Sequence, residues 1–329
     1  MQHQPTPRRH FLPILIFLLI ASAAPMALAG ASPFVGDWAL TIPGGGAGWL
    51  GVSDTPTPSA QIMWGAGSVL PVKSVKVEGN TLVLTREERS RQGGVITETI
   101  SATSEDGQTL KLTTIKKRPD GSEFGKADFT GKLQPPIPPA PDLSKVKFGP
   151  EIQLFNGKDL AGWDLTDPKS DNGWLVKDGL LTNDQSDRTK HYGNLRTDRE
   201  FEDFNLTLEA NVAKGGNSGV YIRGIYEIQV ADTMGRKLDS HNMGAVYSRI
   251  TPTQSAEKPA GEWQTLDITF VDRHMTVVLN GKKIIDNQPV HGCTGGALFS
   301  DVTRPGPIYL QGDHTGAQYR NIVLKPIVK

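Results

Sequence analysis

YIRGIYEIQVAD, Tyr221 to Asp232, is rich in β-branched and aromatic residues, the composition of a strand. Alternate side chains of a strand point to opposite faces. Read as one strand, the stretch therefore puts Arg223, Glu227 and Gln229 on one side of the pleat. An arginine, a carboxylate and an amide on one face fit an ordinary solvated surface. They fit equally a groove that binds or cleaves a polar ligand.

The same short, alternating pattern runs outward in both directions. "FNLTLEANV", "WQTLDITFVD", "HMTVVLNGKKIID", "PIYLQGD" and "YRNIVLKPI" read as strands, and Asn280-Gly281 is a strong two-residue hairpin turn. Gly (36) and Pro (23) are plentiful and long helical periodicity is absent, so the expected fold class is all-β. "PPIPPAP" (Pro135 to Pro141) favours extended polyproline conformation and is expected to act as a semi-rigid spacer. It divides the chain into a small all-β accessory domain over 30–134, a linker over 135–149 and a larger sandwich over 150–329. The first domain opens on Gly36-Asp37-Trp38, a start found in lipocalin-like barrels. A small sandwich with a core tryptophan fits as well. Gly79-Asn80 and Asp106-Gly107 mark its hairpins.

Residues 1–29 read as a cleaved export signal. Arg8 and Arg9 precede the apolar run Phe11 to Ala24, and Ala27-Leu28-Ala29 is a small-x-small cleavage site. The run is short for a membrane span. The expected location is the periplasm or the exterior. The chain carries 35 basic and 35 acidic residues, and without the two leader arginines 33 face 35. Such a balance gives no reason to seek nucleic acid. The single Cys293 cannot form an internal disulfide. There is no His-Glu-x-x-His, no cysteine cluster and no P-loop lysine after Gly44-Gly45-Gly46. A divalent cation such as Ca2+, held by scattered oxygens, remains compatible with the composition.

Several blocks in the second half belong together. LFNGKDLAGW (Leu154 to Trp163), WLVKDGLL (Trp174 to Leu181), NSGVYIRG (Asn217 to Gly224), YEIQVAD (Tyr226 to Asp232), the stretch Trp263 to Ile284 and IYLQGDHTGAQYRNIVLKPI (Ile308 to Ile327) resemble the 3-keto-disaccharide hydrolase domain family. The resemblance implies a concanavalin A-like jelly roll. It also implies hydrolysis or elimination of 3-keto-glycosides, so that the partner is an oligosaccharide or glycoside. The family usually runs Leu-Gln-Asp-His-Gly near its end, whereas Leu310-Gln311-Gly312-Asp313-His314 carries an extra glycine.

A 3-keto sugar has an acidic hydrogen at C2. Its cleavage calls for a base near C2, a group that stabilises the oxyanion and an acid near the leaving oxygen. Glu227, His314 and Arg223 supply suitable types and are the catalytic candidates. Gln229, Asp232, Tyr247, Gln311, Asp313 and Arg320 are candidates for binding the sugar. Trp263 is an alternative stacking residue, and His241 with Asn242 sits in a loop able to cover a groove. Glu227-x-Gln229-x-x-Asp232 echoes the Glu-x-Asp-x-x-Glu of laminarinase-type enzymes. With Gln in the middle and the shorter Asp last, an ordinary retaining carboxylate pair is disfavoured. The competing expectation is a lectin-like protein that binds sugar without cleaving it.

Overall fold

The structure, a computed structural model, describes Met1 and residues 32–328 apart from 66, 91 and 92. The export-signal reading falls outside the described residues. Between Gly36 and Leu133 the alternating runs form a nine-stranded antiparallel sheet. The first strand, Gly36–Thr41, lies beside the last, Glu123–Leu133. The sheet's two edges, Leu70–Pro71 and Ser74–Glu78, follow each other in the chain. The sheet therefore curls until the edges meet, where Val72 N–H donates to Ala60 O and Lys73 N–H to Thr85 O. Curling encloses a core of its own around Trp38, Leu40, Leu50, Leu84 and Ile100. Trp38 is fully buried, and its indole N–H donates to Phe34 O at 2.8 Å.

The rest of the chain is a jelly-roll sandwich. The larger sheet is nine-stranded and runs from Trp174–Lys177 through Ala317–Val328, Phe204–Val212 and Gln264–Val271 to Lys282–Pro289. The smaller sheet is five-stranded: Trp163–Leu165, Leu195–Phe201, Gly306–Leu310, Asn217–Ile222 and Tyr226–Ala231. Alternation places Phe204, Leu206, Leu208, Ala210 and Val212 inward against Val220, Ile222, Ile228 and Leu310 of the smaller sheet. Burying each large side chain contributes about 1.5–3 kcal/mol, so this layer fixes how the two sheets face each other. Asn280-Gly281 joins its strands as a two-residue turn with φ +50° and +78°, the conformation expected of an Asn-Gly hairpin.

One expectation needs correction. YIRGIYEIQVAD is a hairpin, not one strand: Ile222 pairs with Tyr226, and Arg223 (φ +56°) and Gly224 (φ +67°) turn the chain between them. The proline-rich run is anchored along its length. The jelly roll holds it, with Arg273 Nη2 donating to Pro135 O at 2.8 Å and Asn287 Nδ2 to Pro141 O at 2.9 Å.

Candidate active site

Register decides which side chains of the smaller sheet share its free face. Tyr221 pairs with Glu227 and with Tyr309. Gly219 pairs with Gln229, and Gln311 N–H donates to Gly219 O at 2.9 Å. Directly paired residues point the same way, and Val220, Ile228 and Leu310 between them point into the core. The free face therefore carries one row of Tyr309, Tyr221 and Glu227 and a second row of Gln311, Gly219 and Gln229. Tyr247 N–H donates to Glu227 O at 2.9 Å, which continues the first row past the sheet edge.

Glu227 is the centre of this face. Its side chain lies over Gly219, where a Cβ would stand 2.4 Å from Oε1. Its Oε2 is 2.9 Å from the Tyr221 hydroxyl, which also lies 2.7 Å from Gly295 O. Tyr221 stacks on Tyr309 with centroids 3.8 Å apart, and the Tyr309 hydroxyl donates to Gly296 O at 3.0 Å. The Glu227 amide donates to Thr294 Oγ1 at 2.9 Å. Burial pushes the Glu227 carboxyl up to about 8, against the opposing hydrogen bond from Tyr221 and the charge of His314. At neutral pH Glu227 is therefore a carboxylic acid able to give a proton.

Asp313 and His314 flank it. His314 Nδ1 and Asp313 Oδ1 are 2.6 Å apart, and this hydrogen bond holds the imidazole above its ordinary 6.5. Burial opposes ionisation of Asp313, but the bond to His314 and its charge prevail and keep the carboxyl below its usual range. The additional glycine has a packing reason. A Cβ on Gly312 would meet Gly193 O at 2.5 Å and Trp174 Nε1 at 2.7 Å. Gly312 N–H donates to Asn194 Oδ1 at 2.7 Å, and its carbonyl accepts from Asn183 Nδ2 and Gln185 Nε2. The loop that presents His314 is thus pinned on both sides.

Gln229 and Gln311 are 5 % and 7 % exposed, and the Oε1 of each is buried without a partner. A buried polar atom left unpaired costs about 1–3 kcal/mol. Two such amides on either side of Gly219 are arranged for hydroxyl groups brought by a ligand.

The structure therefore brings together Glu227, Gln229, Tyr247, Gln311, Asp313 and His314. It does not bring Arg223, Asp232 or Arg320 to them. Arg223 sits in the hairpin turn and runs into the core, where its guanidinium donates to Val302 O and Arg304 O and lies 5.6 Å from the Phe270 ring. Replacing it by Met leaves those carbonyls unpaired. The expected result is a lower Tm with unchanged KM, checked by thermal melts beside steady-state kinetics. Asp232 accepts from Gly215 N–H at 2.9 Å and fastens a loop. Arg320 belongs to the larger sheet, paired with Glu209 at 2.9 Å and stacked on Trp263 at 4.1 Å. Tyr221, Tyr309 and Gly219 were missed in the sequence. Their signal is the shared alternation with Glu227, visible only once the hairpin is recognised. Among the described residues no group of three or more His, Cys, Asp and Glu gathers as a metal site. A cleft of about 960 Å3 against the N-terminal sheet is lined by Asp37, Trp49, Val69, Ser248, Arg249 and His291. Asp37 and His291 pair there at 2.7 Å.

Residues 150–325 match the 3-keto-alpha-glucoside-1,2-lyase-like domain. The chain belongs to that family. Membership makes it a protein that acts on glycosides, and the N-terminal sheet lies outside the matched residues. No curated protein matches the chain. Among solved structures, two candidate glycosyl hydrolases from Parabacteroides distasonis are similar. One is 21% identical, with 54% of this chain and 94% of that one covered and a TM-score of 0.45. The other is 28% identical, with 59% and 93% covered and a TM-score of 0.44. A β-glucanase from Bacillus licheniformis is 12% identical, with 55% and 99% covered and a TM-score of 0.33.

Proposed function

We propose that the chain, as an exported protein, cleaves 3-keto-glycosides by elimination across C1 and C2. The observation that carries this reading is a buried, protonated Glu227 beside an imidazole made more basic by its own carboxylate. Two groups whose environments set opposite proton tasks are what acid–base elimination requires. His314 removes the C2 proton, and the electrons left behind form the enolate of the 3-keto group. The C1–O bond breaks as Glu227 Oε gives its proton to the departing oxygen. The products are an enone sugar and a free alcohol or sugar, and water adds to the enone afterwards. One proton passes to His314 and one leaves Glu227, and exchange with solvent restores both. Gln229 and Gln311 hold ring hydroxyls, and Tyr221 holds the Glu227 carboxyl in place.

Two tests follow. The purified chain is incubated with 3-keto-trehalose and 3-keto-cellobiose beside the unoxidised sugars, and released glucose and enone are read by mass spectrometry. Release from the keto sugars alone is expected. Cleavage of the unoxidised sugars at equal rate, or binding without any release, overturns the reading. The pH profile of kcat/KM is expected to be bell-shaped. Its acid limb lies above 6.5, where His314 becomes a free base, and its alkaline limb falls near 8 as Glu227 ionises.

A further inference from the structure

The loop after the third strand of the N-terminal sheet reaches the jelly roll beside the row that holds Glu227. Ser68 follows the strand Ser59–Trp64, far in sequence from the family domain. Its Oγ lies 3.1 Å from His241 Nε2 and 3.3 Å from the Tyr247 hydroxyl. The next residue, Val69, donates its N–H to Ser248 Oγ at 2.8 Å, and Gly65 O accepts from Gly296 N–H at 3.1 Å. His241 and Tyr247 meet edge to face with centroids 4.8 Å apart. Three hydroxyl- or imidazole-bearing side chains, one from an N-terminal loop and two from a jelly-roll loop, thus converge beside the row that holds Glu227.

Their place relative to the acid is set by register. The Glu227 carboxyl leans over Gly219. On one side lies the His314–Asp313 pair, close enough for His314 and Glu227 to shift each other's proton affinity. Tyr247, hydrogen-bonded to the Glu227 backbone, lies on the other side. Strand order, from Gly306–Leu310, which precedes His314, through Asn217–Ile222 to Tyr226–Ala231 and the Tyr247 backbone beyond, gives the order His314, Glu227, Tyr247, Ser68. If the base is at C2 of the keto ring and the acid at the glycosidic oxygen, the leaving portion extends towards Tyr247 and Ser68.

We propose that Ser68 of the N-terminal sheet, with Tyr247 and His241, forms the subsite for the leaving sugar. It makes the chain selective for keto-disaccharides over keto-glycosides with small leaving groups. The sheet is then a wall of the active site and not an appendage. Aromatic edges beside a hydroxyl suit a pyranose, whose rim carries hydroxyls and whose faces are apolar. The direction of the leaving sugar rests on the elimination reading above, whereas the existence of a sugar site at Ser68 does not.

The test uses the full chain and two variants, Ser68→Ala and Ser68→Trp, with 3-keto-trehalose and methyl 3-keto-α-glucoside as substrates. Ser68 is half-buried, on a loop, so Tm is expected to stay unchanged. Ser68→Ala is expected to raise KM for the disaccharide several-fold, and Ser68→Trp by roughly tenfold or more, through lost hydrogen bonds and a blocked site. Kinetics on the methyl glycoside are expected to stay within about twofold, since that leaving group never reaches the wall. Equal loss on both substrates, or no loss on either, overturns the proposal. Calorimetric binding of unoxidised trehalose to wild type and Ser68→Trp separates the two readings without turnover. If wild type cleaves no keto sugar but only the variant fails to bind trehalose, the elimination reading falls and the subsite stands. If wild type cleaves both substrates and the variant discriminates neither, the subsite falls and elimination stands.

Discussion

Glu227→Gln is expected to lower kcat on a 3-keto-disaccharide by roughly 10²–10⁴-fold, the usual size of a general-acid contribution. It is also expected to raise Tm at pH 8. The two effects have one cause. In the folded chain the carboxyl titrates near 8, whereas the unfolded carboxyl titrates near 4.5. Between those values the unfolded chain has lost a proton that the folded chain keeps. Stability therefore falls as pH rises from about 4.5 to about 8 and is level beyond. The slope is on the order of 1.4 kcal/mol per pH unit at most. An amide of the same shape can still hydrogen-bond to the Tyr221 hydroxyl and never ionises, so the variant escapes this loss. Thermal melts of both proteins at pH 4 and pH 8 check it: the curves are expected to lie close together at pH 4 and separate at pH 8, the variant melting higher. An inactive variant that melts lower at pH 8 shows that Glu227 is ionised and paired in the native protein, and removes the acid role.

Gly219→Ala is the second large effect. The added methyl would stand 2.4 Å from Glu227 Oε1 and 2.9 Å from Cγ. Neither contact is tolerable, so the carboxyl must swing off the row and lose its bond to Tyr221. Gly219 lies inside a strand and has no positive φ, so alanine fits its backbone. Activity is expected to drop by roughly 10²-fold, as for misplacement of a catalytic group by about an ångström. The alkaline limb of the pH profile is expected to shift with it, because a displaced carboxyl meets different burial. Activity near wild type with an unmoved alkaline limb excludes Glu227 as the group responsible. The pair of variants distinguishes loss of the acid from loss of its position.

Local chemistry was legible in the sequence. Asn280-Gly281 dictates its own turn, and the alternation of Phe204–Val212 declares which face is buried. Arg223 misled because a non-glycine residue in left-handed conformation breaks a run that composition alone describes as continuous. Arg320 misled for a different reason. It shares a family block with Gln311, but the loop Gly312 to Gly316 carries the chain from the smaller sheet to the larger one. Residues nine apart in sequence then face different layers. The Glu227–Gln229 spacing was readable, whereas the flanking Tyr221 and Tyr309 needed strand pairing. Ser68 was beyond reach, since its two partners lie 173 and 179 residues away. Hydrogen bonds at that separation leave no periodic trace.

The Tyr221 hydroxyl has one hydrogen and two neighbours that want it, the Glu227 carboxyl and Gly295 O. While Glu227 is protonated, the demand is met: the carboxyl donates to the phenol oxygen and the phenol donates to the carbonyl. On the proposed mechanism, once the proton has gone to the departing sugar, Glu227 becomes an acceptor only, and the phenol must turn to it. Gly295 O is then left without a donor until solvent returns a proton. On that mechanism each cycle removes and restores a hydrogen bond to Gly295 O, next to Gly296, whose N–H donates to Gly65 O.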